Sequence, residues 1–200
     1  MIRATKVLST ITHTSAIETP LPIIEADRTL TEAETATSAA LMRVNHSGEV
    51  SAQALYLGQA LTARDPALAE TLFEAAKEEK THLAWCENRL KTLNARTSFF
   101  NPVWAVGSFA IGCFAGLLGD KISLGFLAET ENQVTKHLEE HLEKIPRADF
   151  KSQVILEKMK ADEMKHAENA IDLGGIPLPK FIQSIMRKTA KVMTTLSYLV

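Results

Sequence analysis

The feature that most constrains this 200-residue chain is a pattern written twice. A lone Glu is followed about thirty residues later by Glu-x-x-His: Glu49 and then Glu79-Lys-Thr-His82, Glu131 and then Glu163-Met-Lys-His166. The lone residues are 82 apart and the paired ones 84, an offset regular enough for two copies of one helical unit. Glu-x-x-His alone is weak, since eighteen Glu and six His give about half a match by chance. The surrounding residues decide. Leu156, Met159, Glu163, His166, Ala170 and Leu173 recur in steps of three and four, which places them on one face of a helix. The same holds for Leu127, Glu131, Val134, Leu138 and Leu142, and for Leu72, Ala75, Glu79, His82, Cys86 and Leu90. Met42, Glu49, Ala52 and Tyr56 make the fourth such stripe.

Each acid therefore interrupts an apolar, inward face. Four carboxylates meeting in one core repel one another and shift toward protonation, and an unpaired buried charge costs several kcal/mol. Two divalent cations balance four carboxylates. Carboxylates with two imidazoles and no thiolate suit iron or manganese better than zinc or copper. A lone Glu and a Glu-x-x-His on successive helices is also the ligand order of a two-metal site inside a four-helix bundle. Glu78 and Asp162 each precede a paired Glu and are candidates to hold the outer nitrogen of a metal-bound His. Glu129 rivals Glu131, and the inward stripe agrees with Glu131. His137 is read as an ordinary helix-face residue, with proton donation beside Glu131 as the alternative. His46 packs or caps one turn before Glu49, and Tyr56 belongs to the core.

The rest of the chain reads as all-α. Residues 1–30, with Pro20 and Pro22, are expected to be extended or partly disordered. Their first seventeen residues hold Arg3, Lys6 and no acid, and are read as a bacterial N-terminus rather than a transit peptide. Thr31-x-x-Glu34 predicts a capping box opening a helix to about Ala63. Asp65-Pro66 opens a second, to about Leu93. Helices over about 121–145 and 147–173 follow, stopped by Pro146 and by Gly174-Gly175. Residues 31–200 thus form one domain. Between the two pairs, residues 97–119 carry no charge, and the small residues Ser108, Gly112 and Gly116 lie four apart. This stretch is short for a span, so a buried hairpin helix or an interfacial segment is expected. Residues 180–199 set Phe181, Ile182, Ile185, Met186, Val192, Met193 and Leu196 against Lys180, Arg187, Lys188 and Lys191. That amphipathic helix suits an anionic membrane surface or its own bundle. A net charge of −2 and the lack of a basic stripe argue against nucleic acid, and two distant cysteines argue against a disulfide framework.

Leu-Met-Arg-Val-Asn-His-Ser-Gly-Glu-Val (41–50) and Ala-Leu-Tyr-Leu-Gly-Gln (54–59) resemble the first-helix signature of the demethoxyubiquinone hydroxylases, ferritin-like di-iron monooxygenases. The likeness continues through 78–87, Asn-Pro-Val-Trp (101–104), 131–138 and 162–167, and covers about residues 40–200. Through Glu131-x-x-Val134-x-x-His137 it is what selects Glu131 over Glu129. It implies a ferritin-like four-helix bundle with two Fe ions per chain. Glu79 and Glu163 would bridge them, Glu49 and Glu131 would be terminal, and His82 and His166 would each cap one. It implies hydroxylation of the benzoquinol ring of a polyprenyl demethoxyubiquinol with O2. The electron donor, NADH or a reductase, is not identified by the sequence. It further implies peripheral attachment to the cytoplasmic face of a bacterial cell membrane, the matrix side of the mitochondrial inner membrane being the alternative. A homo-oligomer or a ubiquinone-biosynthesis complex is compatible with both. The rival uses of such a bundle are iron storage or peroxide removal, and a lipid-binding subunit without turnover.

Overall fold

The computed structural model describes residues 3–7 and 29–200. Six long helices account for most of them: α1 (Glu32–Thr62), α2 (Pro66–Thr92), α3 (Asn101–Leu117), α4 (Asp120–Lys144), α5 (Phe150–Asp172) and α6 (Lys180–Leu199). No strand occurs among the described residues. The extended segment expected over 1–30 falls mostly outside them. Of the parts inside, 29–30 are not helical, but 3–7 are, and Val7 packs into the core.

Local chemistry sets the helix boundaries. The amide of Glu34 donates to Thr31 Oγ1 at 3.3 Å and the amide of Thr31 donates to Glu34 Oε2 at 2.9 Å, the reciprocal box anticipated above. Asp65 accepts from the Ala67 amide at 2.8 Å, with Pro66 as the first helical residue. The turn between α1 and α2 is held from a distance, because the Asp120 carboxylate accepts from the Arg64 and Asp65 amides at 2.9 Å each. α5 starts later than the 147 expected. Asp149 caps it by accepting from the Ser152 amide at 2.9 Å, and the same carboxylate pairs with buried Arg89 of α2 at 2.6 Å. Gly119 (φ 117°) and Gly174 (φ 98°) provide the left-handed turns that close α3 and α5.

α1 and α2 pack antiparallel, as do α4 and α5, and the two pairs make the four-helix core. The apolar segment becomes α3, which runs alongside α1 in the same direction, from Ser47–Asn101 at one end to Thr62–Cys113 at the other. The small residues make this contact. A Cβ on Gly112 would land on the Leu55 carbonyl oxygen, and one on Gly58 on the Phe109 carbonyl oxygen. α3 leaves Val103, Val106, Phe114 and Leu117 exposed, and α6, laid against α1 and α4, exposes Phe181, Ile185, Val192 and Leu199. No helix among the described residues is long and apolar enough to cross a membrane.

Side-chain packing divides the core into two apolar layers. Tyr56, Leu72, Phe73, Ala76, Leu127 and Ala170 form one, and Met42, Trp85, Cys86, Leu138, Leu156 and Met159 the other. Residues 49, 79–82, 131 and 163–166 fall between these layers on every core helix. Because backbone meets backbone at Gly112, Gly112→Val should lower stability by about 1–3 kcal/mol or prevent folding. Gly48→Ala, in open space within a helix, should be neutral or slightly stabilising. Urea midpoints of the two variants test the contrast.

Candidate metal centre

All six anticipated residues converge between the two apolar layers. Glu49, Glu79, His82 and Glu163 offer ligand atoms within 4.8 Å of one another, and so do Glu131, Glu163 and His166. Glu79 and Glu131 are fully buried, Glu49, His82 and Glu163 nearly so, and His166 is partly open.

The paired glutamates face both imidazoles. Glu163 places Oε1 3.1 Å from His82 Nδ1 and Oε2 3.1 Å from His166 Nδ1. Glu79 places Oε2 3.2 Å from His82 Nδ1 and Oε1 3.5 Å from His166 Nδ1. Glu49 Oε2 lies 3.4 Å from His82 Nδ1. The centre thus has two halves, His82 with Glu49 and His166 with Glu131, sharing two carboxylates that each turn one oxygen to each half.

Outer nitrogens of both imidazoles are held, and the holders cross over. His166 Nε2, on α5, meets Glu78 of α2 at 2.6 Å, and His82 Nε2, on α2, meets Asp162 of α5 at 3.4 Å. The acid before each paired Glu therefore orients the histidine of the other copy. This arrangement leaves each Nδ1 directed at the carboxylates, as metal-binding imidazoles require. Glu129 points elsewhere, accepting from Gln133 Nε2 at 2.6 Å and lying 3.7 Å from Arg187 of α6. The His137 ring meets the His141 ring at a tilt, centroids 3.9 Å apart, and burial pushes both down, to about 4 and about 2. His46 Nδ1 accepts from Asn101 Nδ2 at 3.1 Å, which ties the start of α3 one turn before Glu49.

Charge in this layer is unresolved by protein groups alone. Glu49 Oε2, Glu79 Oε1, both Glu131 oxygens and Glu163 Oε1 are buried with no hydrogen bond of acceptable geometry among the described residues. Burial and the neighbouring Glu163 and Glu49 charges push Glu79 well above the usual carboxylate range, and Glu131 is raised by the same causes. Burial also pushes Glu163 up, but His166 and His82 outweigh it and hold that carboxyl down at about 2. For His82, burial disfavours the cation, yet Asp162, Glu163, Glu49 and Glu79 together raise it well above the ordinary imidazole range. Protons thus do what cations would do. Orphaned oxygens, two inward-facing imidazoles and an all-oxygen-and-nitrogen donor set fit a metal site.

Known proteins resemble this chain over most of its length. The profile of the family described as "Ubiquinone biosynthesis protein COQ7" matches residues 36–197. A 3-demethoxyubiquinol 3-hydroxylase of Ralstonia pickettii is 57% identical over 169 residues, covering 84% of this chain and 78% of that protein. The enzyme of the same name from Nitrosospira multiformis is 55% identical over 169 residues (84% and 81%). That from Burkholderia pseudomallei is 52% identical over 179 residues (90% and 86%).

A divalent ion entering this layer must displace the protons that Glu79, Glu131, His82 and His166 retain there. Their raised affinities for protons mean that rising pH removes the competitor. Metal binding should therefore tighten as pH rises through and above the ordinary imidazole range and should release protons. Calorimetry in two buffers of different ionisation enthalpy reads the release; a heat independent of buffer, with pH-independent affinity, contradicts this account.

Proposed function

The chain belongs to the family of ubiquinone biosynthesis protein COQ7, and on that footing we propose that it is a 3-demethoxyubiquinol 3-hydroxylase whose buried cluster holds two iron ions. The observation that carries the metal assignment is the pair of carboxylates, Glu79 and Glu163, each with one oxygen toward each imidazole. In this reading Glu79 and Glu163 would be held in common by two irons, Glu49 and His82 would complete the hold on one, and Glu131 and His166 would complete the hold on the other. Iron bound there would supply the O2-activating redox chemistry. The chain's own residues do the rest. The apolar layers above and below keep bulk water from the centre, which strengthens each charge–charge contact inside it. Glu78 and Asp162 fix the rings. The ionised Asp162, held well below the usual carboxylate range by its hydrogen bond with His82, is well suited to support a neighbouring cation.

The substrate of such an enzyme is a quinol ring on a polyprenyl tail, together with O2. Peripheral attachment to the cytoplasmic face of a bacterial membrane is part of this proposal. It is supported by the exposed row Phe99, Val103, Val106, Phe114 and Leu117, and by α6, where exposed Phe181, Ile185 and Val192 share the helix with Lys180, Arg187, Lys188 and Lys191.

Purified protein loaded with ferrous ion should bind about two irons per chain. A strain lacking the gene should accumulate the demethoxy precursor, and unchanged ubiquinone in that strain would sink the assignment. Glu163→Ala, which removes a carboxylate common to both halves, should abolish iron binding and fail to restore ubiquinone. Attachment is read separately by flotation with anionic phospholipid vesicles. Replacing Val106 and Phe114 with Glu should weaken flotation at least about tenfold, since each removes an apolar side chain and adds a repelled charge; equal flotation removes α3 from the attachment surface.

A further inference from the structure

α2 and α5 face each other across a loose seam of the core, approaching less closely than α1 and α2 or α4 and α5. The side chains that close this seam form a graded series. At one end Arg89 meets Asp149 at 2.6 Å and Ser152 Oγ at 2.9 Å, all three buried. Next, Cys86 Sγ lies 3.8 Å from Met159 Sδ, and both residues are fully buried. One turn further, His82 Nε2 meets Asp162 at 3.4 Å; the imidazole is still buried, but the Asp162 side chain is 21% exposed. At the last step His166 Nε2 meets Glu78 at 2.6 Å, with the His166 side chain 10% and the Glu78 side chain 63% exposed. The seam is sealed at Arg89 and opens to solvent at Glu78.

The two halves of the centre therefore differ in access. Outside the His82 half, Asp162 Oδ1 is already engaged by Lys158 at 2.7 Å and Lys165 at 3.7 Å, two cations that repel an incoming one. The Trp85 ring also lies against His82, centroids 5.4 Å apart. Outside the His166 half, Glu78 has His166 as its one ionic partner among the described residues. A cation cannot cross the apolar layers above and below the centre, because those layers offer no oxygen to replace its water. The His166 corner does offer oxygens in sequence. The Glu78 carboxylate stands outside, and Glu131, with both oxygens unpartnered, stands inside with Glu163 and His166, ligand atoms within 4.8 Å.

We propose that ferrous ions enter and leave the centre at this corner, that Glu78 is the latch holding His166 across it, and that the two halves exchange metal unequally, the His166 half first and the His82 half second. Opening breaks the Glu78–His166 contact and swings the imidazole outward, while the His82 half stays in place. This inference rests on the metal assignment given above and not on the reaction.

Protein loaded anaerobically with ferrous ion is mixed with an excess of a chromogenic ferrous chelator, and release is followed by absorbance. Two phases of equal size are expected. Glu78→Ala should speed the first about tenfold, the population effect of losing one charge-assisted hydrogen bond. It should speed ferrous uptake by the iron-free protein by a similar factor. Glu78→Gln keeps an acceptor for the ring N–H and should speed both by less. Asp162→Asn, which loosens the hold on His82, should speed the second phase only. If Glu78 merely orients the ring, its loss quickens release and leaves uptake unchanged, and that result overturns the latch. A single release phase, or a first phase quickened by Asp162→Asn, overturns the unequal access. A protein that shows the expected kinetics but makes no hydroxylated product overturns the hydroxylase reading alone. One that takes up no ferrous ion overturns the metal assignment and the latch together.

Discussion

Four carboxylates buried in one layer of a helical bundle are the constraint to which the rest of this molecule answers. Their desolvation and mutual repulsion disfavour the folded chain unless positive charge joins them. Among the described residues only His82 and His166 are placed to supply it, and both are pushed toward their cationic forms. Two imidazolium groups against four carboxylates leave a deficit, so Glu79 and Glu131 retain protons. Divalent ions solve the same problem more completely. The fold therefore carries a site that is tolerable without metal and improved by it.

A polar layer this demanding needs rigid walls, and α1 provides the reference surface. It touches α2, α3, α4 and α6, and its approach to α3 is set by glycine on both sides, Gly58 and Gly112. Backbone contact leaves little freedom to slide, because a shift of one residue would drive side chains into carbonyl groups. Asn101 adds a polar lock. Its Oδ1 accepts from Ser47 Oγ at 2.7 Å and its Nδ2 meets His46, both within one turn of Glu49. At the far end the Arg89–Asp149 pair, buried on both sides, fixes α2 against the start of α5. Placement of the six centre residues is thus over-determined from both ends of the bundle.

Much of this was legible because helices convert sequence period into direction. Steps of three and four put Glu49, Glu79, Glu131 and Glu163 inside, and the family pattern, with which they agree, discarded Glu129, which the structure directs to Arg187. Caps at Thr31 and Asp65 were readable for the same local reason. Relations between helices were not. The Ser108–Gly112–Gly116 line announced a close contact but could not name α1 as the partner. Glu78 and Asp162 were readable as holders of imidazoles, but their crossing from one copy to the other depends on which helices are neighbours. Gln59 was readable only as the last residue of the 54–59 signature; its bonds to Ser123 depend on α4 being its neighbour.

The distribution of polarity then acquires a meaning. Globular chains bury apolar groups and expose polar ones, so the informative departures are buried polar atoms and exposed apolar rows. Here both occur, on helices packed against each other. α1 turns Asn45, Glu49, Tyr56 and Gln59 inward, while α3, packed on its outer side, turns Val103, Val106, Phe114 and Leu117 outward. Stability alone would favour the reverse. A chain whose proposed substrate arrives from an apolar phase, and whose proposed chemistry runs at a buried, charged centre, needs both departures at once. α6 shows the compromise within one helix: Ile182, Met186 and Met193 are partly covered and Ser197 is buried, while Phe181, Ile185, Val192 and Leu199 stay exposed. The face packed on the bundle and the exposed apolar face are different faces of the same helix, so packing there and the proposed docking, alternatives in the sequence, are compatible.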